Sequence, residues 1–370
     1  MGAGMKVGIV TQYAYDNMGN KLQNYALQRK LAEYADSVCT IKNRPKARGI
    51  MGAIKQNALA ADSMLLHRLC GRYRKSEILK FHKKYIADSS AYYCTSQNYH
   101  GLKTFDTCEL YCAGSDQVWK PGSGRTGVFH YLGFAPTERT FSYAASFGVD
   151  RIPEEYQDAV RKGLNHIKYI SVREDAGKRI VEELTGRTDV QVLVDPTMLL
   201  TTQEWDEVVS KPKKKLPEKY LLTYFLGSIS KERRQAIQEK AAELGCEIIE
   251  TMDPDSPFYA IGPGEFVWLI KHAALVCTDS FHGSVFSFLY GRPLAIFDRK
   301  GSGEDMSSRL RTLASKFHLE DCMVNGEKLP QLSPVPDYSA GYVALEEERA
   351  KSKAFLDMVF QEAERAGLCK

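Results

Sequence analysis

The chain has 370 residues, 44% hydrophobic and 26% charged, with a formal net charge of +4. That length exceeds one ordinary core and predicts two domains, and the composition is that of a globular protein. The mild positive balance does not call for nucleic acid and suits an anionic small substrate. No apolar run is long enough for a membrane-spanning helix, and the first residues lead into a strand without an apolar leader. The nine cysteines are scattered. Cys108 and Cys112 lack a second pair or a histidine to complete a zinc site, so no metal is expected and a reducing, cytoplasmic setting is.

In chain order, residues 6–11 read as a short apolar strand and 20–34 as a helix with Leu22, Ala26, Leu27, Leu31 and Tyr34 on one face. A polar turn pivoting on Gly19 separates them. The stretch 48–99 is rich in Lys, Arg, Tyr and His, with helices expected over 59–70 and 75–85. Strands follow over 110–113, 140–144, 169–172 and 190–194, with helices over 156–166 and 176–184. Each of these strands stops at polar residues, which in an open parallel sheet is the ligand-binding edge. Residues 201–219, lysine-rich with Pro212 and Pro217, read as an inter-domain linker. A second series comprises strands over 220–226, 247–250, 273–277 and 292–297 and helices over 231–244, 263–272 and 307–318. A charged helix over 343–366 closes the chain. The pattern predicts an α/β, GT-B-like architecture: two doubly wound Rossmann-like domains (1–200 and 220–340) facing a cleft, with residues 341–370 crossing back. A single enlarged Rossmann domain and a periplasmic-binding-type pair are the competing architectures.

The segment from Leu275 to Ser287 carries the clearest chemistry. A buried strand ends in Thr278, Asp279 and Ser280, all good N-cap residues, and turns directly into a helix. Such a turn offers unpaired amides and a positive helix end to a phosphate or carboxylate. His282 stands in the first turn beside Gly283, so acid–base chemistry on an anion competes there with a packing histidine. At Gly114-Ser115-Asp116, Ser115 suits an oxyanion and Asp116 an acceptor hydroxyl, against a simple turn cap. Arg173, at a strand end, offers a planar fork to carboxylate or phosphate, against an ion pair with Glu174 or Asp175. Asp195-Pro196-Thr197 reads first as a turn before the linker. The amides of Asn20, Gln23 and Asn24 suit sugar hydroxyls. No Gly-x-Gly-x-x-Gly follows the first strand and no P-loop occurs, which argues against a dinucleotide site.

Taken in order, Asn17-Met18-Gly19-Asn20-Lys21-Leu22-Gln23-Asn24-Tyr25, Gly114-Ser115-Asp116-Gln117-Val118-Trp119, Ser142-Tyr143-Ala144-Ala145-Ser146-Phe147-Gly148, Ser171-Val172-Arg173-Glu174, Asp195-Pro196-Thr197 and Thr278-Asp279-Ser280-Phe281-His282-Gly283 form a set. The set resembles the polysaccharide pyruvyl transferase family of bacterial surface-glycan clusters, over about residues 6–300. The resemblance implies a GT-B-like fold and transfer of pyruvate from phosphoenolpyruvate to two sugar hydroxyls. The product would be a cyclic ketal on a polysaccharide or its lipid-linked precursor, with phosphate released. It maps the family's arginine onto Arg173 and its histidine onto His282; with Asp116 these are the expected catalytic residues, and Arg173, Ser280, Phe281, His282, Gly283 and Ser284 the expected donor site. Gly19, Asn20, Gln23, Asn24, Ser115, Asp116 and Ser146 fall to the acceptor, with neither metal nor cofactor required. Many members carry arginine two residues before the histidine. Ser280 stands there in this chain, which leaves donor phosphate to Arg173, the helix amides and Arg292 or Arg309. A lipid-linked acceptor would bring the protein to the inner membrane face as a peripheral protein. A glycosyltransferase using a nucleotide sugar and a non-catalytic glycan-binding protein are the rival readings.

Overall fold

The computed structural model describes residues 4–12, 17–41, 43–44, 74–89, 92–93, 108–122, 127–299, 308–326, 329 and 333–368. The helix expected over 59–70 lies outside these residues.

The strands are β1 (Lys6–Val10), β2 (Ser37–Thr40), β3 (Asn43–Arg44), β4 (Tyr92–Tyr93), β5 (Leu110–Ala113), β6 (Thr140–Ser142), β7 (Ser171–Val172), β8 (Gln191–Val192), β9 (Tyr220–Tyr224), β10 (Glu247–Glu250), β11 (Leu275–Thr278) and β12 (Leu294–Ile296). They form two four-stranded parallel sheets, ordered β2-β1-β5-β6 and β10-β9-β11-β12. Backbone bonds from Ser142 N to Tyr169 O and from Arg173 N to Ala145 O carry the first sheet on to the paired β7 and β8.

Successive strand residues face opposite ways, and the burial follows that alternation. Val7, Ile9, Leu110 and Cys112 of the first sheet join Leu222, Tyr224, Val276 and Ile296 of the second in one continuous core. The opposite face of the first sheet, with Val10, Tyr111 and Ala113, packs on Trp119, Tyr131 and Phe147. That of the second, with Leu221, Cys277 and Ala295, packs on Phe225, Ile237 and Phe297. Burial on both faces explains why these strands read as unbroken apolar runs.

The stretch expected as a linker contains a helical turn, Thr202–Asp206, closed by a capping box between Thr201 and Glu204 and anchored by buried Trp205. The terminal helix, Ser339–Arg365, returns to the first half. Its Phe360 stacks on Tyr34 at 4.7 Å, and Arg349 donates to the carbonyls of Met198 and Leu200. Two Rossmann-like sheets with a returning helix make the architecture GT-B-like. No helix among the described residues is long and apolar enough to cross a membrane.

Candidate active site

In each sheet the chain winds outward in both directions from the first strand, so a crevice opens where the order reverses. The reversal lies between β1 and β5 in one sheet and between β9 and β11 in the other. Both crevices open on one polar cavity of about 60 Å³, lined by Gln12, Asn17, Asp116, Gln117, Leu226, Ser280, Phe281, His282, Arg299 and Arg309.

Two helices begin at this cavity. Met18–Leu31 is capped by Asn17, whose side chain accepts from Asn20 N. Phe281–Leu289 is capped by Ser280, which accepts from Gly283 N. No intrahelical carbonyl can reach the amides of Phe281 and His282, so they and the positive helix end favour an anion. The two helix starts touch. A methyl group on Gly19 would overlap the His282 imidazole, lying 2.7 Å from Cγ and 2.8 Å from Cε1. Gly283 is equally confined, since a Cβ there would sit 2.7 Å from Thr278 Oγ1.

Behind the cavity lies a buried charge network. Asp195 accepts from Arg173 Nη1 at 2.8 Å, Ser115 Oγ at 2.9 Å, Thr197 N at 3.0 Å and Thr197 Oγ1 at 2.8 Å. His282 Nε2 faces its other side at 3.8 Å, beyond hydrogen-bond reach. Burial alone would raise the Asp195 carboxyl, but His282, Arg173 and the Thr197 amide outweigh it and hold the group far below the usual carboxylate range. Arg173 is also buried, which works against its charge. Asp195, Glu174 and Asp116 more than compensate and raise its pKa. Its guanidinium rests 4.5 Å over the Phe281 ring, and its Nε and Nη2 lack hydrogen-bond partners. Asp116 has a left-handed backbone (φ 69°), a strained setting for a residue other than glycine, and its carboxylate accepts from Asn20 Nδ2.

The sequence-predicted residues therefore separate. His282, Asp116, Ser280 and Phe281 line the cavity, while Gly19, Asn20, Gly283 and Arg173 pack directly behind it. Ser115 is spent on Asp195, and Ser146 on Glu174 at 2.6 Å. Ser284 bonds back to the Ser280 carbonyl, Gln23 bonds Thr11 and the Asn20 carbonyl, and Asn24 accepts from Thr40 on β2. Of the two arginines considered as substitutes, Arg309 reaches the cavity. Arg292 instead bonds Tyr290 O and is not among the lining residues.

Asp195-Pro196-Thr197 does turn the chain, and Asp195 is also the hub of the network, a role its local sequence does not advertise. Sequence reasoning also missed Arg299 and read Asp279 only as a capping residue, whereas Ser280 is the cap. Asp279 binds the amides of Leu226 and Gly227 at 2.7 and 2.8 Å, tying the β9 loop to the β11 turn. Arg299 donates to the Asp279 carbonyl. It follows the end of β12, so the strand-end rule used for Arg173 points to it as well.

The fold defines an α/β protein with two Rossmann-like parallel sheets whose strand ends share one polar cavity. The chain belongs to the polysaccharide pyruvyl transferase family, whose model matches residues 17–301, and is thus a transferase acting on polysaccharide. No curated protein matches it in sequence. Among solved structures it is similar to a UDP-GlcNAc 2-epimerase from Neisseria meningitidis bound to UDP-GlcNAc (11% identity, 97% of this chain and 94% of that one, TM-score 0.48). It is also similar to a UDP-N-acetylglucosamine 2-epimerase from Rickettsia bellii (10%, 96% and 98%, 0.46) and to the glycosyltransferase SnogD from Streptomyces nogalater (9%, 97% and 99%, 0.42).

Proposed function

We propose that the donor is phosphoenolpyruvate and that the product is a cyclic pyruvate ketal on a sugar of a surface polysaccharide or its lipid-linked precursor. The observation that carries this reading is the convergence of an imidazole, two helix N-termini and the arginines Arg299 and Arg309 on one cavity, in a chain of this family. Protonation of the donor methylene carbon gives an oxocarbenium-like centre. One sugar hydroxyl adds to it, phosphate leaves with its bridging oxygen, and a second hydroxyl closes the ketal. One of the two hydroxyl protons balances the methyl group formed and the other leaves on phosphate.

His282 is the acid–base group in this scheme, and Asp116 orients or deprotonates the acceptor hydroxyl. Arg173 supports donor charge while holding Asp195 against His282. The Phe281 and His282 amides stabilise the departing phosphate by preorganised electrostatics. The scheme calls for neither metal nor organic cofactor. A lipid-linked acceptor would place the protein peripherally at the inner membrane face.

The test is ligand-dependent melting with phosphoenolpyruvate, UDP, GDP and nucleotide sugars, followed by phosphate release with a panel of glycans. A ligand that binds only the folded state raises the melting temperature. Stabilisation by phosphoenolpyruvate alone, with glycan-dependent phosphate release that His282→Ala abolishes in a folded protein, is expected. Stabilisation by a nucleotide sugar and none by phosphoenolpyruvate would establish the glycosyltransferase reading instead. Glycan binding without consumption of any donor would point to a binding protein.

A further inference from the structure

Arg309 differs from the other cations of the site. It is 8% exposed, yet it lines the cavity. Its Nε has no hydrogen-bond partner, and it makes no ion pair among the described residues. Its hydrogen-bond partner among the described residues is neutral: Gln117, turned so that its oxygen faces the guanidinium, accepts from Nη1 at 3.3 Å and Nη2 at 3.2 Å. Arg173, by contrast, is bound to the Asp195 carboxylate at 2.8 Å.

A buried guanidinium without a counter-charge is unfavourable, and a second arginine nearby makes it worse. Burial first, and then the positive charge of Arg173, push Arg309 down to about 10. The carboxylates of Glu174 and Asp116 act on it from a distance and do not offset this. The same cavity holds the Arg299 side chain and the start of the Phe281–Leu289 helix. An entering oxyanion would meet a planar fork and the free amides of the first helical turn together.

We propose that Arg309 is the docking cation for an oxyanion of the donor, phosphate or carboxylate. This rests on the reading of the cavity as a phosphoenolpyruvate site and names the residue that recognises the donor charge. Arg309 is an arginine held ready for a ligand, so its removal should cost affinity and spare the empty protein.

The experiment is titration calorimetry of the wild-type protein, Arg309→Met, Arg309→Lys and Arg292→Met with phosphoenolpyruvate and, separately, inorganic phosphate. The melting temperature of each unliganded protein is recorded alongside. In Arg309→Met, at least a tenfold loss of affinity is expected for phosphoenolpyruvate and for phosphate, with an unliganded melting temperature equal to or above wild type. Arg309→Lys should recover part of the phosphate affinity, and Arg292→Met should bind both ligands as wild type does. Affinities within twofold of wild type in Arg309→Met would overturn the assignment. So would a collapsed or strongly destabilised Arg309→Met protein, because that marks a structural cation. A wild-type protein that ignores phosphoenolpyruvate but binds phosphate through Arg309 would sink the donor reading and leave the anion site standing. Binding of neither anion by wild type would overturn both.

Discussion

Asp195 shows how one carboxylate organises a site from behind. It fixes Arg173 by an ion pair, Ser115 by a hydroxyl bond and its own turn through Thr197, and the oxygen that Thr197 binds also faces His282 at 3.8 Å. Asp195→Asn keeps the shape and removes the charge, leaving Arg173 buried without its main partner. Breaking a buried pair in this way costs about 3–5 kcal/mol, which urea unfolding at neutral pH would measure. The pH dependence has a definite sign. The folded-state pKa of Asp195 is depressed, so at acid pH the unfolded chain binds the proton more readily. Its stabilisation is fully present above the unfolded carboxylate value of about 4 and is lost as pH falls below that. The stability of wild type should therefore drop more steeply with acidification than that of Asp195→Asn. Parallel acid-unfolding curves would mean that the carboxylate carries no such stabilisation. The sequence hides this role, because Arg173 and His282 are distant in the chain and meet Asp195 only through the sheet order.

Among the elements, the β11 turn is the most legible. A run of buried apolar residues, three successive capping residues and a glycine specify strand, stop and helix in one stretch, and the helix starts after Ser280. The short strands are less legible. β7 and β8 are two residues each, and the flanking Tyr169 and Leu193 are tied in only by isolated backbone bonds to Ser142 and Thr140 and to Val172, which no periodicity announces. The first helix begins at Met18, two residues before the apolar pattern indicates, because Asn17 caps it. The Gly19 contact depends on both helices at once and can be read from neither alone. Gly19→Ala drives a methyl group into the His282 ring, so the two helix starts must part. Overpacking of this kind costs about 1–3 kcal/mol. A displacement near 1 Å at a catalytic group can lower turnover on the order of 100-fold. We expect Gly19→Ala to remain folded, with a lowered urea midpoint and strongly reduced glycan-dependent phosphate release. Wild-type turnover in this variant would show that His282 tolerates displacement and would remove it from the chemistry.

At the scale of the molecule, two sheets and a helix crossing back can be read from the sequence, but the contacts that anchor them cannot. Both inner faces drain into one continuous apolar core, and the Ser339–Arg365 helix lies across it. Phe360 shows the coupling. It stacks on Tyr34, meets Phe141 of β6 edge-on at 6.2 Å, and belongs to the same core as Phe286 of the cavity helix. The neighbouring Asp357 accepts from the Tyr34 hydroxyl at 2.7 Å, which fixes the helix in register. A cleft whose His282 comes from one sheet and whose Asp116 and Asp195 come from the other requires this rigidity. Phe360→Ala should therefore weaken the whole protein by about 3–5 kcal/mol, not the first half alone. Urea unfolding followed by tryptophan fluorescence and by far-ultraviolet circular dichroism should give one coincident transition at a lower midpoint. Trp119 reports on the first sheet, and Trp205 on the shared core. Two separated transitions, one at the wild-type midpoint, would show that the halves fold independently and that the cleft is held only by its own charges.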